Sequence, residues 1–350
     1  MHQTSMDHEI KQRIVAIKEK VGRELLILTH HYQRKEIVDL GDHRGDSFGL
    51  SRMAAADKDA RFIVFCGVHF MAESAAILAQ PHQTVQIPDD EAGCWMSDMA
   101  DIFMLEKAWK EMAKVIDADA VTPMVYMNSD AALKAFCGRN AGIVCTSSNA
   151  KAAFRWAFKR REKIFFLPDQ HLGHNTAHEL GIDPAAVIVW NREKPLGGQT
   201  PETIQKAAVI LWQGYCLVHT RFLVEHIHAK RAEFPDARIV VHPECTREVV
   251  DQADAVGSTS FIVNYARSAP AGSTIIIGTE VNLVDRLALE YPDKHILALH
   301  HSLCPNMFKI DLNKLSKTLE NLGQYNTVTV PERIKNDARL ALGRMLRMAA

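Results

Sequence analysis

The 350-residue sequence contains seven cysteines, at positions 66, 94, 137, 145, 216, 245 and 304, yet no two of them form a C-x-x-C pair. That absence argues against a zinc ribbon, a thioredoxin-type centre and a ferredoxin, all of which rely on closely spaced cysteines. An odd number of cysteines in a long chain with no signal-like start also makes a disulfide framework a poor explanation. Charge of one sign is missing too: 41 Lys and Arg face 42 Asp and Glu, for a net charge of -1, so nothing favours nucleic acid or a membrane surface as partner. The first twenty residues carry Asp7, Glu9, Lys11 and Arg13 and lack a continuous apolar core of signal-peptide length. No later run approaches the length needed to span a bilayer. The expectation is a cytoplasmic protein with a small-molecule partner.

What the sequence does contain is a repeated strand-helix grammar. The chain is too long for one ordinary core and fits two or three units of roughly 100 residues or a little more. Ile10, Ile14, Ile17 and Val21 recur at helical spacing. Short apolar runs at 25–28, 62–65 and 84–88 read as strands, separated by helical stretches at 45–56 and 71–78. The grammar recurs with strands at 124–126, 143–145 and 164–167 and again with strands at 239–241, 274–277 and 295–299. The Pro- and Gly-rich segment 191–201, between an apolar run at 187–190 and one beginning at Val209, reads as an inserted loop. Strands alternating with helices imply parallel sheets with helical crossovers. The expected architecture is therefore α/β, with three Rossmann-like units: residues 1–105 with an N-terminal helix, 106–220, and 221–350 with C-terminal helices.

Each third closes on a strand followed by a cysteine next to Gly or Pro. Gly93 precedes Cys94, Gly214 lies shortly before Cys216, and Pro305 follows Cys304. Cys66, Cys137 and Cys145 instead sit inside apolar or helical runs and read as core. Three thiolates from three strand ends could hold zinc or an iron-sulfur cluster. A [4Fe-4S] cluster held by three cysteines leaves one iron open to act as a Lewis acid.

Other strand ends carry polar groups. His242 and Glu244 flank Pro243, and both side chains leave an extended segment on the same side. Gly257-Ser258-Thr259-Ser260 precedes a helix, so it is either an N-cap or an anion site built from free N–H groups and hydroxyls. Thr146-Ser147-Ser148-Asn149 poses the same choice. Tyr126-Met127-Asn128-Ser129 offers a phenol and an amide, or simply a capped turn, and Thr29-His30-His31-Tyr32 follows the first strand where ligand groups of open parallel sheets sit.

Taken in order, these motifs resemble the quinolinate synthase family. The likeness runs from His30-His31-Tyr32-Gln33 through Gly45-Asp46-Ser47, Phe70-Met71-Ala72-Glu73, Tyr126-Met127-Asn128, Pro168-Asp169-Gln170-His171, Trp212-Gln213-Gly214-Tyr215-Cys216 and His242-Pro243-Glu244 to Cys304. The resemblance implies three units around a pseudo-threefold axis and a [4Fe-4S] cluster on Cys94, Cys216 and Cys304. It also implies condensation of iminosuccinate with dihydroxyacetone phosphate to quinolinate, with loss of phosphate and two waters, in NAD biosynthesis. By position, the iminosuccinate contacts fall on His30, Ser47, Tyr126, Met127, Asn128 and Ser147. The phosphate-side contacts fall on His242, Pro243, Glu244 and Thr259, with Ser258 in the same turn.

Glu244 is the expected principal acid-base residue, assisted by His219, Tyr32 and His30. The resemblance further suggests coupling to an L-aspartate oxidase or aspartate dehydrogenase. The chain departs from some relatives in carrying His31 between His30 and Tyr32, in the 191–201 insertion, and in lacking a second cysteine near Cys304. A rival from another class is a cluster-dependent hydro-lyase acting on a small carboxylate, which would need no phosphate site.

Overall fold

Strand Leu25–His30 is buried along its whole length, as expected for a parallel sheet covered by helices on both faces, where apolar residues run continuously instead of alternating. The computed structural model describes residues 2–348 and contains three such sheets, all parallel.

The first contains α1 (His2–Val21), β1 (Leu25–His30), α2 (Lys35–Val38), β2 (His43–Gly45), α3 (Ser47–Ala56), β3 (Phe62–Cys66), α4 (His69–Leu78) and β4 (Thr84–Gln86). After α5 (Ile102–Met112) the second contains β5 (Val121–Tyr126), α6 (Ala131–Arg139), β6 (Ile143–Cys145), α7 (Ala150–Phe158), β7 (Lys163–Leu167), α8 (Gln170–Glu179), β8 (Val187–Trp190), α9 (Pro201–Lys206) and β9 (Val209–Trp212). After α10 (Val224–Glu233) the third contains β10 (Arg238–Val241), α11 (Arg247–Gln252), β11 (Ala255–Val256), α12 (Thr259–Ser268), β12 (Thr274–Gly278), α13 (Val281–Glu290) and β13 (His295–Ala298). The helices α14 (Leu312–Glu320) and α15 (Glu332–Met348) follow.

The sheet orders are β2-β1-β3-β4, β6-β5-β7-β9-β8 and β11-β10-β12-β13. The three share one topology, to which the second unit adds β8 outside β9. This is the expected fold class. The three-residue β2 and two-residue β11 complete the repeat, and neither is announced by an apolar run: His43-Arg44-Gly45 is strand only because it hydrogen-bonds to β1. Gly45, expected to open a helix, is the last residue of β2, and the helix starts at Ser47.

The C-terminal helices follow the third unit in sequence but pack elsewhere. The α14 helix lies on α1 and β3, and α15 on α6 and β6. Gly138 permits the second contact, since a Cβ there would lie 1.8 Å from the carbonyl oxygen of Asp337. Segment 191–201 forms a turn held against the outside of the second unit. The Leu196 N–H donates to Glu111 Oε2 of α5 at 2.9 Å, and Gly197 lies under the Trp190 ring. Among the described residues no helix is long and apolar enough to cross a membrane.

Candidate active site

The carboxyl ends of the parallel strands converge on one cavity. Each unit supplies it in the same way. The first strand of each delivers His30 and Tyr32, Tyr126 and Asn128, or His242 and Glu244. The second delivers Ser47, Ser147 or Thr259, and the last leads to Cys94, Cys216 or Cys304.

The cysteine segments repeat more closely than their sequences suggest. Each cysteine is followed three residues later by a single 3-10 turn: Ser97–Met99, His219–Arg221 and Met307–Lys309. In each, the carbonyl of the cysteine accepts the N–H four residues on, from Asp98, Thr220 and Phe308. Seven residues on, Asp101, Leu223 and Asp311 are the N-caps of α5, α10 and α14. Backbone N–H groups from these turns point at each sulfur: Ser97 and Met96 at Cys94, His219 at Cys216, Met307 and Asn306 at Cys304. Gly214 lets the Cys216 loop approach the second sheet, because a Cβ there would lie 2.4 Å from the Pro168 carbonyl oxygen. Burial pushes the Cys94 thiol up to about 12 and Cys304 up to about 11, and raises Cys216 further.

Beside Cys216 lies a buried hydrogen-bonded chain. Glu244 Oε1 accepts from the Tyr126 hydroxyl at 2.5 Å, and Oε2 accepts from His219 Nδ1 at 2.8 Å. His219 Nε2 lies 3.1 Å from the Thr279 hydroxyl. Thr279 Oγ1 in turn lies 2.8 Å from the Tyr32 hydroxyl, which accepts from Thr259 Oγ1 at 3.1 Å. The chain thus runs from Thr259 through Tyr32, Thr279 and His219 to Glu244, crossing between the first and third units and ending at a phenol of the second. Burial alone would raise the Glu244 carboxyl. The facing imidazoles of His219 and His242, and the hydrogen bonds from His219 and Tyr126, outweigh it and hold the group down at about 2. Burial, reinforced by the Glu244 charge, pushes both Tyr32 and Tyr126 well above the ordinary phenol range.

Two histidines occupy equivalent places and share one local device. His30 Nδ1 accepts from the Tyr32 N–H at 3.2 Å, and His242 Nδ1 accepts from the Glu244 N–H at 3.3 Å. Burial lowers His30 to about 4 and His242 to about 3. Both rings are therefore neutral with the proton on Nε2, and they act as hydrogen-bond donors on that side. His242 uses it toward Ser147 Oγ, 3.3 Å away. No Lys or Arg lines the cavity. An anion there meets neutral donors and the N-termini of α3, α7 and α12, which start at the three hydroxyl-bearing loops, alongside the carboxylates of Asp46 and Glu244. Asn128 Oδ1 and Thr146 Oγ1 are buried in the wall without a partner, which marks the space as one for a polar ligand.

Cys216, His219 and Glu244 can bring one ligand atom each within 4.8 Å of one another. Both nitrogens of His219 are already committed, to Glu244 and to Thr279.

A sequence profile described as quinolinate synthetase A protein matches residues 12–347. The chain belongs to this family. It is similar to the quinolinate synthases of Halalkalibacterium halodurans, 48% identical over 97% of this chain and 93% of that protein, and of Corynebacterium glutamicum, 47% identical over 99% and 89%. That of Herpetosiphon aurantiacus is 50% identical over 97% and 93%.

For this member of the quinolinate synthetase A family, the residues singled out from sequence divide into two sets. The cavity wall includes His30, Tyr32, Ser47, Tyr126, Asn128 and Ser147, together with His219, His242, Glu244, Thr259 and the three cysteines. The side chains of Met127, Pro243 and Ser258 do not line it. Met127 is buried with its sulfur against the Ser74 hydroxyl, the Pro243 carbonyl accepts from Asn175, and Ser258 caps α12 by accepting from the Phe261 N–H.

Sequence reasoning passed over Thr279, which links Tyr32 to His219. It also gave no role to Asp169 and Glu280, the N-caps of α8 and α13: Asp169 accepts the Leu172 N–H, and Glu280 accepts the backbone N–H of Cys304. The available signal was position: like the residues that were chosen, all three lie just past the end of a buried strand.

Proposed function

We propose that this enzyme is a quinolinate synthase that condenses iminosuccinate with dihydroxyacetone phosphate to quinolinate, releasing phosphate and two waters, in cytoplasmic NAD biosynthesis. The observation that carries this reading is the meeting, in one cavity, of three cysteines from three units with the buried Glu244–His219 pair. The donor set fits a [4Fe-4S] cluster: three soft ligands, N–H donors aimed at each sulfur, and no fourth protein thiol among the residues lining the cavity. Cys94, Cys216 and Cys304 would hold it, and when bound it supplies an open iron that polarises an oxygen of the substrate.

The protein's own groups do the rest. The neutral His30 and the hydroxyls of Ser47, Tyr126 and Ser147, with the amide of Asn128, orient the dicarboxylate. Thr259 and the start of α12 receive the phosphate, and His242 stands between the two. Glu244 is the base. It is ionised, shielded from water and hydrogen-bonded to two donors, so it takes a proton and returns it through His219 or Tyr126. The chain through Thr279 to Tyr32 and Thr259 gives that proton a route toward the phosphate side. Iminosuccinate is unstable, so an aspartate-oxidising enzyme must supply it, such as an L-aspartate oxidase or aspartate dehydrogenase.

The test is to purify the protein without oxygen, count iron and sulfide, and assay quinolinate from the two substrates with and without the phosphate ester on the three-carbon partner. Four irons per chain and strict dependence on the ester are expected. Cluster content with dehydration of a simple hydroxy acid, and no quinolinate, would replace this reading with a hydro-lyase.

A further inference from the structure

The three hydroxyl-bearing loops of the site meet at one side chain that the proposed chemistry leaves unused. Asp46 follows β2 and is the N-cap of α3, its Oδ1 accepting from the Gly49 N–H at 2.8 Å. Its Oδ2 accepts two more hydrogen bonds, from Ser148 Oγ of the second unit at 2.6 Å and from Ser260 Oγ of the third at 2.7 Å. The residue is 7% exposed. Burial would raise its carboxyl, but these three donors hold it below the usual range, so it is a carboxylate and accepts from all three.

The neighbours of the two bound serines explain what this accomplishes. In Ser147-Ser148 and in Thr259-Ser260 the first hydroxyl lines the cavity and the second is bound to Asp46. In the first unit Asp46 is the acceptor, and both it and Ser47 lie in the cavity wall. Turning the second hydroxyl toward Asp46 fixes the rotation of each loop, and with it the aim of Ser147, Thr259 and the helix N-terminus behind each. The direct contact between Ser147 and His242 is a long 3.3 Å, whereas the two clasped serines lie 2.6 and 2.7 Å from Asp46.

Resting on the functional reading above, we propose that Asp46 is a positioning residue, a three-way clasp whose carboxylate sets the relative placement of the three loops that bind the anionic groups of both substrates. Its two oxygens are taken up by Gly49, Ser148 and Ser260. Loosening it therefore weakens substrate capture and leaves the metal end intact.

The cleanest variant is Ser148→Ala/Ser260→Ala, which removes both clasp bonds and leaves the Asp46 cap of α3 whole. Asp46→Ser is the companion, since serine caps a helix about as well as aspartate but cannot hold the two other loops. Steady-state kinetics and calorimetric binding of quinolinate are measured on anaerobically purified protein with its iron content counted. Both variants should keep parental iron content, raise KM for both substrates about tenfold to a hundredfold, the range for hydrogen bonds to a charged group, and weaken quinolinate binding in parallel. Parental KM and quinolinate affinity in the double serine variant would overturn the clasp. So would a fall in kcat with KM unchanged, which would make Asp46 a catalytic group. If the parent enzyme itself makes no quinolinate, the functional reading fails instead, a result distinct from both.

Discussion

The two ends of the cavity are built on different principles. At the cysteine end each cysteine sits in its own copy of one local segment, a 3-10 turn and a carbonyl accepting the N–H four residues on, repeated three times and braced from neighbouring units at turn carbonyls, by Trp212 at Met99 and Arg34 at Phe308. At the hydroxyl end almost every group is positioned by a different unit. Tyr126 of the second binds Glu244 of the third, Tyr32 of the first binds Thr279 and Thr259 of the third, and Asp46 of the first binds the other two. The cysteine end is thus set mainly by short-range backbone geometry, and the hydroxyl end by how the three units sit together. Damage at the first should be all-or-none and local, and damage at the second graded and shared.

The largest effect expected from that contrast is at the cysteines. Cys216→Ser should lose iron, sulfide and activity together, as should the same change at Cys94 or Cys304, while Cys66→Ser, buried in β3, should keep all three. Full cluster content in Cys216→Ser would remove the basis for the comparison.

Next is Glu244→Gln, which preserves size and much of the hydrogen bonding to Tyr126 and His219 but not basicity. Turnover should fall about a hundredfold to ten-thousandfold, the usual contribution of a positioned general base, with iron content unchanged. Turnover within about tenfold of the parent would transfer the role to His219. Smaller again is Thr259→Ala, which removes one donor to a charged group, worth about 1.5–3 kcal/mol. Apparent affinity for dihydroxyacetone phosphate should drop by roughly tenfold to over a hundredfold and iminosuccinate affinity far less. Equal losses for both substrates would assign Thr259 to the shared scaffold.

The gentlest probe is pH. Burial holds His30 neutral down to about 4 and His31 and His242 down to about 3, against an ordinary value of 6.5. From pH 6.5 downward the unfolded chain binds protons at these positions that the folded one refuses, so stability is full above 6.5 and falls as the pH drops toward 4 and 3. The thermal midpoint should decline over that window, and His242→Asn should flatten the decline. An unchanged slope in that variant would show that His242 does not contribute to it.

Much of the fold was legible before any coordinates, because apolar strands of a parallel sheet are continuous runs and helices carry their own period. The strands that escaped notice, β2 and β11, carry neither signal: β2 is short and polar, and β11 is only two residues long. They exist because β1 and β10 offer them unpaired backbone groups. The C-terminal helices were assigned by adjacency in sequence, whereas their apolar faces follow the uncovered sides of the first and second sheets.

The candidate site divides the same way. Cysteines after strands, and His242 with Glu244 at a strand end, could be read directly, because the position of a residue at a strand's carboxyl end is a property of the local chain. Which polar groups bind one another could not. Asp46 finds its partners 102 and 214 residues away, Tyr126 meets Glu244 across 118, and Thr279 reaches Tyr32 across 247. The sequence by itself determined three repeated units and the cysteine that closes each, since local backbone preference and hydrophobic period are written in neighbouring residues. Only the tertiary structure decided that Glu244 is held ionised, that His30 and His242 are neutral donors, and that one carboxylate joins three loops. Burial and hydrogen-bond partners set those states, and both come into existence only when distant segments pack together.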